Sequence, residues 1–338
     1  MFLNLQKNCL LFILKGEKQL EIVHTSVLLN ECLSYLSPEN ENYGDSPLMI
    51  DSTLGEGGHS EAFLSKYKNL RIIGIDADPV IQARAKERLA PFGDRMSFYS
   101  GWFDDFYANY QNEDDRPSLI LFDLGISLFH YEKSGRGFSF RMDEPLDMRL
   151  SPEADVSAAD LVQTLNENDL ADMIYAYGEE RYSRRIASAI VEARRSAKIE
   201  NAKDLADIIY RAVPAQYRHG AIHPATKTFQ ALRIAVNKEL DRLPRVLDSA
   251  FNVLKVGGKL CVITFHSLED RIVKVHFRNL AKECICPPEQ AVCTCGGKRR
   301  ADLLTRKPVD PTPEEIKRNS PSRSARLRVV RKVRETDV

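Results

Sequence analysis

Four short apolar segments, each rich in β-branched residues and each ending at a turn or a charge, constrain the fold more than any other feature. They are LMID (48–51), RIIGID (71–76), SLILFD (118–123) and KLCVITF (259–265). Helical patterns such as SEAFLSKY and DPVIQARAKERLAPF follow the first two. Buried strands that alternate with helices are typical of a parallel sheet covered on both faces. The sequence therefore predicts an α/β fold with Asp51, Asp76 and Asp123 at the carboxyl ends of strands, where such folds bind ligands.

The last two of these segments are separated by more chain than one crossover needs. Asp123 and Phe265 lie about 140 residues apart, and the interval holds the helical patterns SAADLVQTL, ENDLADMIYAYG, RYSRRIASAIVEARR and AKDLADIIYRAV. Ser157 and Asn201 are candidate helix caps. We predict an N-terminal extension (1–20), the first part of the sheet domain (21–130), a helical insertion (131–225) that recognises the substrate, and the second part of the sheet domain (226–338). This second part contains one long helix, FQALRIAVNKELDRLPRVLDSAFNVL, and two final strands, LLTRKPV and ARLRVVRKV.

Composition narrows the class of protein. The 338 residues carry 48 basic and 48 acidic side chains, but residues 296–338 hold 13 Lys and Arg against 6 Asp and Glu. This basic end favours an anionic polymer as partner, although a solvated surface strand explains it equally well. No apolar run reaches the ~18 residues that span a membrane, and CLLFIL (9–14) lacks the flanks of a signal peptide. We therefore predict a cytoplasmic protein that does not bind membranes.

The seven cysteines then belong to a reducing compartment. Four of them form a C-x-C-x6-C-x-C pattern: Cys284, Cys286, Cys293 and Cys295. Four thiolates can close a tetrahedral zinc site, but zinc sites usually use C-x2-4-C pairs. Reduced thiols without a metal are the preferred interpretation, with structural zinc as the alternative.

A glycine-rich turn, DSTLGEGGHS (51–60), follows the first strand. Glycine allows positive φ and close approach of a ligand to the backbone, and the next helix offers free N–H groups. Asp76, which lies 21 residues after Gly55, can accept hydrogen bonds from both hydroxyls of a ribose. The G-x-G-x-x-G fingerprint is broken by Ser60 and no Walker loop is present, so S-adenosylmethionine (SAM) fits better than a dinucleotide. Alternatively, Asp76 only caps the following helix.

Eight ordered blocks carry a family resemblance that runs from about residue 24 to residue 333. They read HTSVLLNECLSYL (24–36), DSTLGEGGHSEAFL (51–64), GIDADP (74–79), FDLGIS (122–127), GRGFSFRMDEPLDMR (135–149), HPATKTFQALRIAVNKEL (223–240), VITFHSLEDRIVK (262–274) and SPSRSARLRVVRKV (320–333). Together they resemble the MraW family of ribosomal RNA methyltransferases. The resemblance implies a class I SAM-dependent methyltransferase (Rossmann-like) sheet interrupted by a helical insertion. It also implies methyl transfer from SAM to the exocyclic N4 of a cytidine in the decoding region of 16S ribosomal RNA.

The same resemblance implies the cofactor contacts. Carried over residue by residue, they fall on Gly57, Gly58, His59, Asp76, Phe103 and Asp123. The family also uses a glutamine within a Ser-Ser-Pro-Gln run after its DLG motif. Here the run reads Ser127-Leu128-Phe129-His130, so His130 stands in the place of that glutamine. Histidine can still donate or accept one hydrogen bond, and we predict that His130 contacts the cofactor. No metal is implied.

Methyl transfer to an amine depends mainly on proximity and orientation. A carboxylate that accepts one N–H bond from the cytosine amine would localise its lone pair and help the proton leave. Asp123 is the catalytic candidate by topology, although a cofactor contact is slightly favoured for it. The Asp/Asn/Ser-Pro-Pro-Tyr/Phe tetrad of amino-methyltransferases is absent, which leaves the catalytic assignment open.

The predicted substrate contacts are mostly basic, because RNA phosphates must be bound. They are Arg136, Arg141, Lys227, Arg233, His266 and Ser267, with Arg149 and the basic C-terminal segment, and Phe138 and Phe140 as rings that stack on bases. The predicted partner is 16S ribosomal RNA or the small ribosomal subunit, and a homodimer is a possible assembly. Two other classes of function stay open at this point. One is a ribosome-assembly factor that uses the fold to bind RNA, and the other is a small-molecule methyltransferase or nicotinamide enzyme.

Overall fold

The computed structural model describes residues 26–39, 41–284, 286, 289–292, 294 and 299–335. The predicted extension over residues 1–20 lies outside these residues, as do Cys293 and Cys295. Seven strands form one sheet within the described residues: β1 (Leu48–Asp51), β2 (Arg71–Asp76), β3 (Met96–Ser100), β4 (Leu119–Asp123), β5 (Lys259–Thr264), β6 (Ala301–Leu303) and β7 (Arg326–Lys332). Their order across the sheet is β3-β2-β1-β4-β5-β7-β6.

The first five strands run parallel, and β7 pairs antiparallel with both β5 and β6. The four strands predicted from apolar runs are confirmed, and with them the Rossmann-like α/β class. The strand β3 was not predicted, because MSFYS is only partly buried and lacks a continuous apolar run. The prediction of a strand at LLTRKPV is wrong in position: β6 ends at Leu303, and Val309 makes only an isolated bridge to Leu327.

Fourteen α-helices lie in the described part of the chain. They are α1 (Leu29–Tyr35), α2 (Gly58–Lys66), α3 (Pro79–Leu89), α4 (Phe103–Ala108), α5 (Leu128–Glu132), α6 (Ala158–Thr164), α7 (Glu167–Gly178), α8 (Ser183–Ser196), α9 (Ala202–Ala212), α10 (Ala215–Arg218), α11 (Ala225–Asn237), α12 (Glu239–Val253), α13 (Ser267–Leu280) and α14 (Pro313–Arg318). Ser157 and Asn201 cap α6 and α9, as predicted. No helix among the described residues is long and apolar enough to cross a membrane.

The sheet separates two apolar cores. Successive side chains of a strand point to opposite faces, so Met49 of β1 joins the core beneath α1 and α2, whereas Ile50 joins the core beneath α12 and α13. The central strands β1, β4 and β5 are buried along almost their full length. Both faces are therefore covered, and only the strand ends are open to a ligand.

The helical insertion has a core of its own, built from residues 138–148, α6 to α9 and α11. The side chains of α11 contribute to this core as far as Val236, although the predicted boundary lies at residue 225. The predicted long helix is divided in two, because Lys238 takes the left-handed conformation (φ 52°) between α11 and α12. This break turns the chain from the insertion back onto the sheet.

Candidate functional site

A cleft opens at the carboxyl ends of β1, β2 and β4. It encloses about 820 Å³ including its open mouth, which lies within the range of ligand pockets. Its lining includes Gly55, Gly58, His59, Asp76, Phe103, Asp123 and His130. The structure therefore brings together six of the seven predicted cofactor residues in one cleft, and Gly57 forms the turn beneath it.

The glycine turn is shaped by its neighbours. Gly57 takes a left-handed conformation (φ 79°), and a Cβ added there would lie 2.8 Å from Cδ1 of Leu89. A Cβ at Gly58 would collide with the hydroxyl of Ser26. The left-handed backbone disfavours a side chain at Gly57, and a side chain at Gly58 would require the Ser26 hydroxyl to move. The turn therefore packs closely against α3 and leaves its outer edge free for a ligand.

Asp76 connects this turn to β2. Its two carboxylate oxygens accept hydrogen bonds from the N–H of Gly55 and from the N–H of Asp78, each at 2.8 Å. Each oxygen keeps a further lone pair for a ligand in the cleft. Burial raises the pKa of Asp76 to about 6, against the effect of these two hydrogen bonds. The residue thus shapes the turn and presents a carboxylate to the cleft.

Asp51, His59 and Asp123 form a buried group at the ends of β1 and β4. Nδ1 of His59 lies 3.6 Å from Oδ2 of Asp123, and Nε2 of His59 lies 3.0 Å from the carbonyl of Val27. Burial alone lowers the pKa of His59, but Cys32 and the two carboxylates raise it above its ordinary value overall. The imidazole therefore favours its protonated form, which offsets part of the negative charge.

Asp123 brings a second carboxylate into the cleft. Its Oδ1 is buried and has no hydrogen-bond partner among the described residues. Burial raises the pKa of Asp123 to about 7, with His59 opposing and Asp51 adding to the rise. A buried acceptor without a partner is costly, so a donor supplied by a bound ligand would stabilise this group.

His130 lies on α5 and joins the cleft to the insertion. Its Nε2 is 3.0 Å from Oδ2 of Asp78, and the same oxygen accepts a hydrogen bond from Arg136. The other ring nitrogen, Nδ1, is buried without a partner in the described chain. The two basic partners lower the pKa of Asp78 to about 2, although burial opposes this. Asp78 also caps α3 by accepting from the N–H of Val80.

Two aromatic side chains of the turn after β3 complete the cleft. Phe103 makes edge contacts with Phe122 and Trp102, at centroid distances of 5.7 Å and 6.2 Å. Trp102 was missed by the sequence reasoning, although its place beside Phe103 in GWFDDF could have suggested it. Leu150 was also missed, because it reaches the cleft from the flank of the insertion. Asn237 positions it by accepting from its N–H at 2.9 Å.

The predicted RNA contacts are dispersed. Arg141 is exposed, and its guanidinium makes no hydrogen bond or ion pair within the described residues. The Nζ of Lys227 donates to the carbonyl of Glu179 at 3.0 Å. Arg136 donates to Asp78 and to the carbonyls of Arg149 and Leu150. Of these cations, Arg141 is the most available for a phosphate.

Other predicted substrate residues serve the structure. Arg233 is buried and donates two hydrogen bonds to Glu239, so it is not a surface phosphate contact. His266 caps α13, and the hydroxyl of Ser267 donates to Glu179. None of these three lines the cleft.

The two phenylalanines predicted to stack on bases lie in the protein interior or near it. Phe138 is buried in the core of the insertion. Phe140 stacks on His223 at a centroid distance of 4.6 Å and contacts Phe229 edge-on. The basic C-terminal strand is also engaged, since Arg328 pairs with Asp270 and the buried Lys332 pairs with Glu335. The alternation of Phe138 and Phe140 with Ser139 in the sequence gave no sign that the two rings pack against other side chains.

The raised pKa of Asp76 predicts a pH dependence of ligand affinity. A ribose binds the ionised carboxylate better, and binding therefore favours loss of the proton. We expect SAM affinity to rise with pH through about pH 6, where Asp76 titrates. Isothermal titration calorimetry between about pH 5 and about pH 8 would measure this. Asp76→Asn is the control: it should lose the step near the pKa of Asp76, while any step due to Asp123 remains.

Comparison with known proteins gives a consistent result. The profile of the MraW methylase family matches residues 21–333. A protein named Ribosomal RNA small subunit methyltransferase H from Treponema denticola is 64% identical over 311 residues, which cover 92% of this chain and 98% of that protein. Proteins of the same name from Treponema pallidum and Desulfosudis oleivorans are each 45% identical to this chain and each match 92% of it. The match covers 93% of the Treponema pallidum protein and 99% of the Desulfosudis oleivorans protein.

Proposed function

Because the chain belongs to the MraW methylase family, we propose that it methylates the exocyclic N4 of one cytidine in the decoding region of 16S ribosomal RNA. It is a SAM-dependent methyltransferase with a Rossmann-like fold. The observation that carries the proposal is the cleft in which the glycine turn, Asp76 and Asp123 meet at the carboxyl edge of the sheet. A ribosome-assembly factor without catalysis and a small-molecule enzyme are not favoured, since the family and the named relatives are RNA methyltransferases.

The residues of the cleft fit SAM, which supplies an electrophilic methyl group on a sulfonium. Asp76 would accept hydrogen bonds from the ribose hydroxyls with the lone pairs that Gly55 and Asp78 leave free. Gly57, Gly58 and His59 would surround the amino-acid end. The unpartnered Oδ1 of Asp123 would accept a hydrogen bond from the ammonium group there. Phe103 and the free Nδ1 of His130 would contact the adenine from the walls of the cleft.

Asp123 also remains the proposed catalytic carboxylate. With a pKa of about 7, it exchanges a proton near neutral pH, which suits a group that accepts a proton from the methylated amine. Both roles would use the same oxygen, which carries two lone pairs. Oδ2 faces His59 at 3.6 Å, so Oδ1 is the atom available to either the cofactor or the amine.

The RNA would lie across the cleft and the helical insertion. The exposed Arg141 supports this placement, because its guanidinium is available and lies within the insertion, between α5 and α6. We propose that residues 131–225, with α11 packed against them, form the module that recognises the RNA. An assembled small subunit as the substrate, a homodimer and a cytoplasmic location remain predictions of the same proposal.

The test uses isotopically labelled SAM with small ribosomal subunits from cells that lack this gene. We expect label on one N4-methylated cytidine of the decoding region, located by nuclease digestion and mass spectrometry. Naked 16S ribosomal RNA in a parallel reaction distinguishes free RNA from the assembled subunit as substrate. The Asp76→Ala variant serves as the matched control and should leave the RNA unlabelled. Absence of label with wild-type protein that binds SAM would contradict the assignment.

A further inference from the structure

A second cavity opens from the cofactor cleft towards α12. It encloses about 460 Å³ including its mouth, and Thr53, Trp102, Phe103, Leu124, Gly125 and Leu150 line both spaces. Leu124 and Gly125 directly follow Asp123 at the end of β4. A molecule in this second cavity therefore lies next to the end of the cleft at which Asp123 is found.

One polar wall of the cavity carries a fixed hydrogen-bond acceptor. Glu239 begins α12, and both of its carboxylate oxygens accept from Arg233, at 2.9 Å and 2.8 Å. This bidentate pair restricts the carboxylate to one orientation. The second acid of the cavity, Glu269, is already engaged, since it accepts from the N–H of Phe265 at 2.8 Å and lies 3.1 Å from Nε2 of His266. Glu239 is the more accessible acceptor for a ligand, since 15% of its side chain is exposed against 4% for Glu269, and each of its oxygens keeps a further lone pair.

The same wall carries an unused donor. Arg242 lies three residues after Glu239 on α12, and residues at this spacing share a helix face. Its Nη1 pairs with Asp104 at 2.6 Å, and its guanidinium carbon lies 4.3 Å from the ring centroid of Trp102. Its Nε is buried and has no partner among the described residues. The lining of the cavity therefore combines a carboxylate of fixed orientation with a guanidinium whose Nε–H has no partner among the described residues.

We propose that this cavity, built on Glu239 and Arg242, binds the flipped target base and selects cytosine. The inference rests on the proposed function and extends it to the recognition of the base. The N4 amino group of cytosine donates a hydrogen bond to Glu239, and N3 or O2 accepts one from Nε of Arg242. The ring lies against the apolar side chains Leu124 and Leu150. Removal of a base from its stack costs a few kcal/mol, and such contacts offset that cost.

The arrangement also explains discrimination against uracil. Uracil carries a carbonyl oxygen where cytosine carries its amino group, so this oxygen would face the Glu239 carboxylate. Two acceptors would then oppose each other, and N3–H of uracil would meet the N–H of Arg242. A site whose buried polar groups are left unpaired rejects a ligand strongly. Cytosine is the pyrimidine that satisfies both groups.

The chain contains a single tryptophan, Trp102, which lines this cavity. Intrinsic fluorescence excited selectively at tryptophan therefore reports occupancy directly. We would titrate cytidine 5′-monophosphate and uridine 5′-monophosphate into the full-length protein saturated with S-adenosylhomocysteine. We expect cytidine monophosphate to change the emission with saturation, and uridine monophosphate to bind at least about tenfold more weakly.

Arg242→Lys is the decisive variant, because it keeps the positive charge beside Asp104 and Trp102 but removes Nε–H. We expect its affinity for cytidine monophosphate to fall about tenfold, the effect of one lost hydrogen bond to a charged donor. Glu239→Gln should reduce the preference for cytidine over uridine, because an amide can donate to a carbonyl. Arg245→Lys, an exposed position on the same helix, is the matched control and should behave like the wild type.

Affinity for S-adenosylhomocysteine, measured for every variant, verifies that each protein is folded and binds its cofactor. Equal binding of the two nucleotides by the wild type, or unchanged cytidine affinity and unchanged single-turnover methylation in Arg242→Lys, would overturn the base pocket. That result would leave the proposed function intact if the wild type still labels the cytidine of the small subunit. Failure of the labelling experiment would instead remove the proposed function itself.

Discussion

Replacement of Asp76 by alanine should reduce the affinity for SAM by at least about a hundredfold, which corresponds to roughly 2.8 kcal/mol. Hydrogen bonds to a charged group contribute roughly 1.5–3 kcal/mol each, and the ribose offers two hydroxyls. The same substitution releases the N–H of Gly55, which is held at 2.8 Å, and the glycine turn loses its anchor. Isothermal titration calorimetry at about pH 8, where Asp76 is ionised, measures the change.

The fold should survive this substitution. Burial raises the pKa of Asp76 to about 6, which means that the ionised carboxylate is disfavoured in the folded protein. Its removal therefore relieves a cost and offsets the two lost backbone hydrogen bonds. Asp76→Asn is the matched variant: its carbonyl oxygen retains one acceptor, and we expect an intermediate affinity. An Asp76→Ala protein with native circular dichroism and a wild-type dissociation constant would show that Asp76 only organises the turn.

The parts of this site that the sequence could predict are local in the chain. The glycine turn and its strand are contiguous, and Asp76 follows at the end of the next strand, so the order of the elements alone places them together. The register of the parallel strands β1, β2 and β4 then brings Asp76 and Asp123 to the same edge. Periodicity and turn chemistry are sufficient for such elements, because each is defined by a few neighbouring residues.

The parts that could not be predicted depend on distant contacts. Arg233 was predicted to contact RNA because of its charge, but in the structure it is surrounded by Glu239 and Tyr131. Nη1 of Arg233 lies 3.3 Å from the hydroxyl of Tyr131, which comes 102 residues earlier in the chain. The break between α11 and α12 occurs at Lys238, and no glycine or proline marks it in the sequence. Leu150 lines the cofactor cleft while its N–H donates to Asn237, 87 residues later. Such features depend on contacts between residues that are far apart in the chain, and these contacts cannot be predicted from a single sequence.

Replacement of Arg233 by methionine should lower the free energy of unfolding by about 3–5 kcal/mol, the usual effect of breaking a buried ion pair. Both partners are largely buried: 10% of the Arg233 side chain and 15% of the Glu239 side chain are exposed. Without the guanidinium, the Glu239 carboxylate would remain in the interior near Glu269, and the neighbouring Arg242 is already paired with Asp104. Urea unfolding followed by circular dichroism measures the loss. A phosphate-binding arginine on the surface would change stability by less than about 0.5 kcal/mol.

The double variant Arg233→Met/Glu239→Leu distinguishes an unpaired charge from simple loss of packing. When both ions are removed, no uncompensated charge stays in the interior, and apolar replacements of a buried pair are often neutral or stabilising. We therefore expect the double variant to recover most of the stability that Arg233→Met loses. It should nevertheless fail to bind cytidine monophosphate, because Glu239 is the acceptor of the base pocket. Equal destabilisation of the single and double variants would instead assign the effect of Arg233 to packing between α11 and α12.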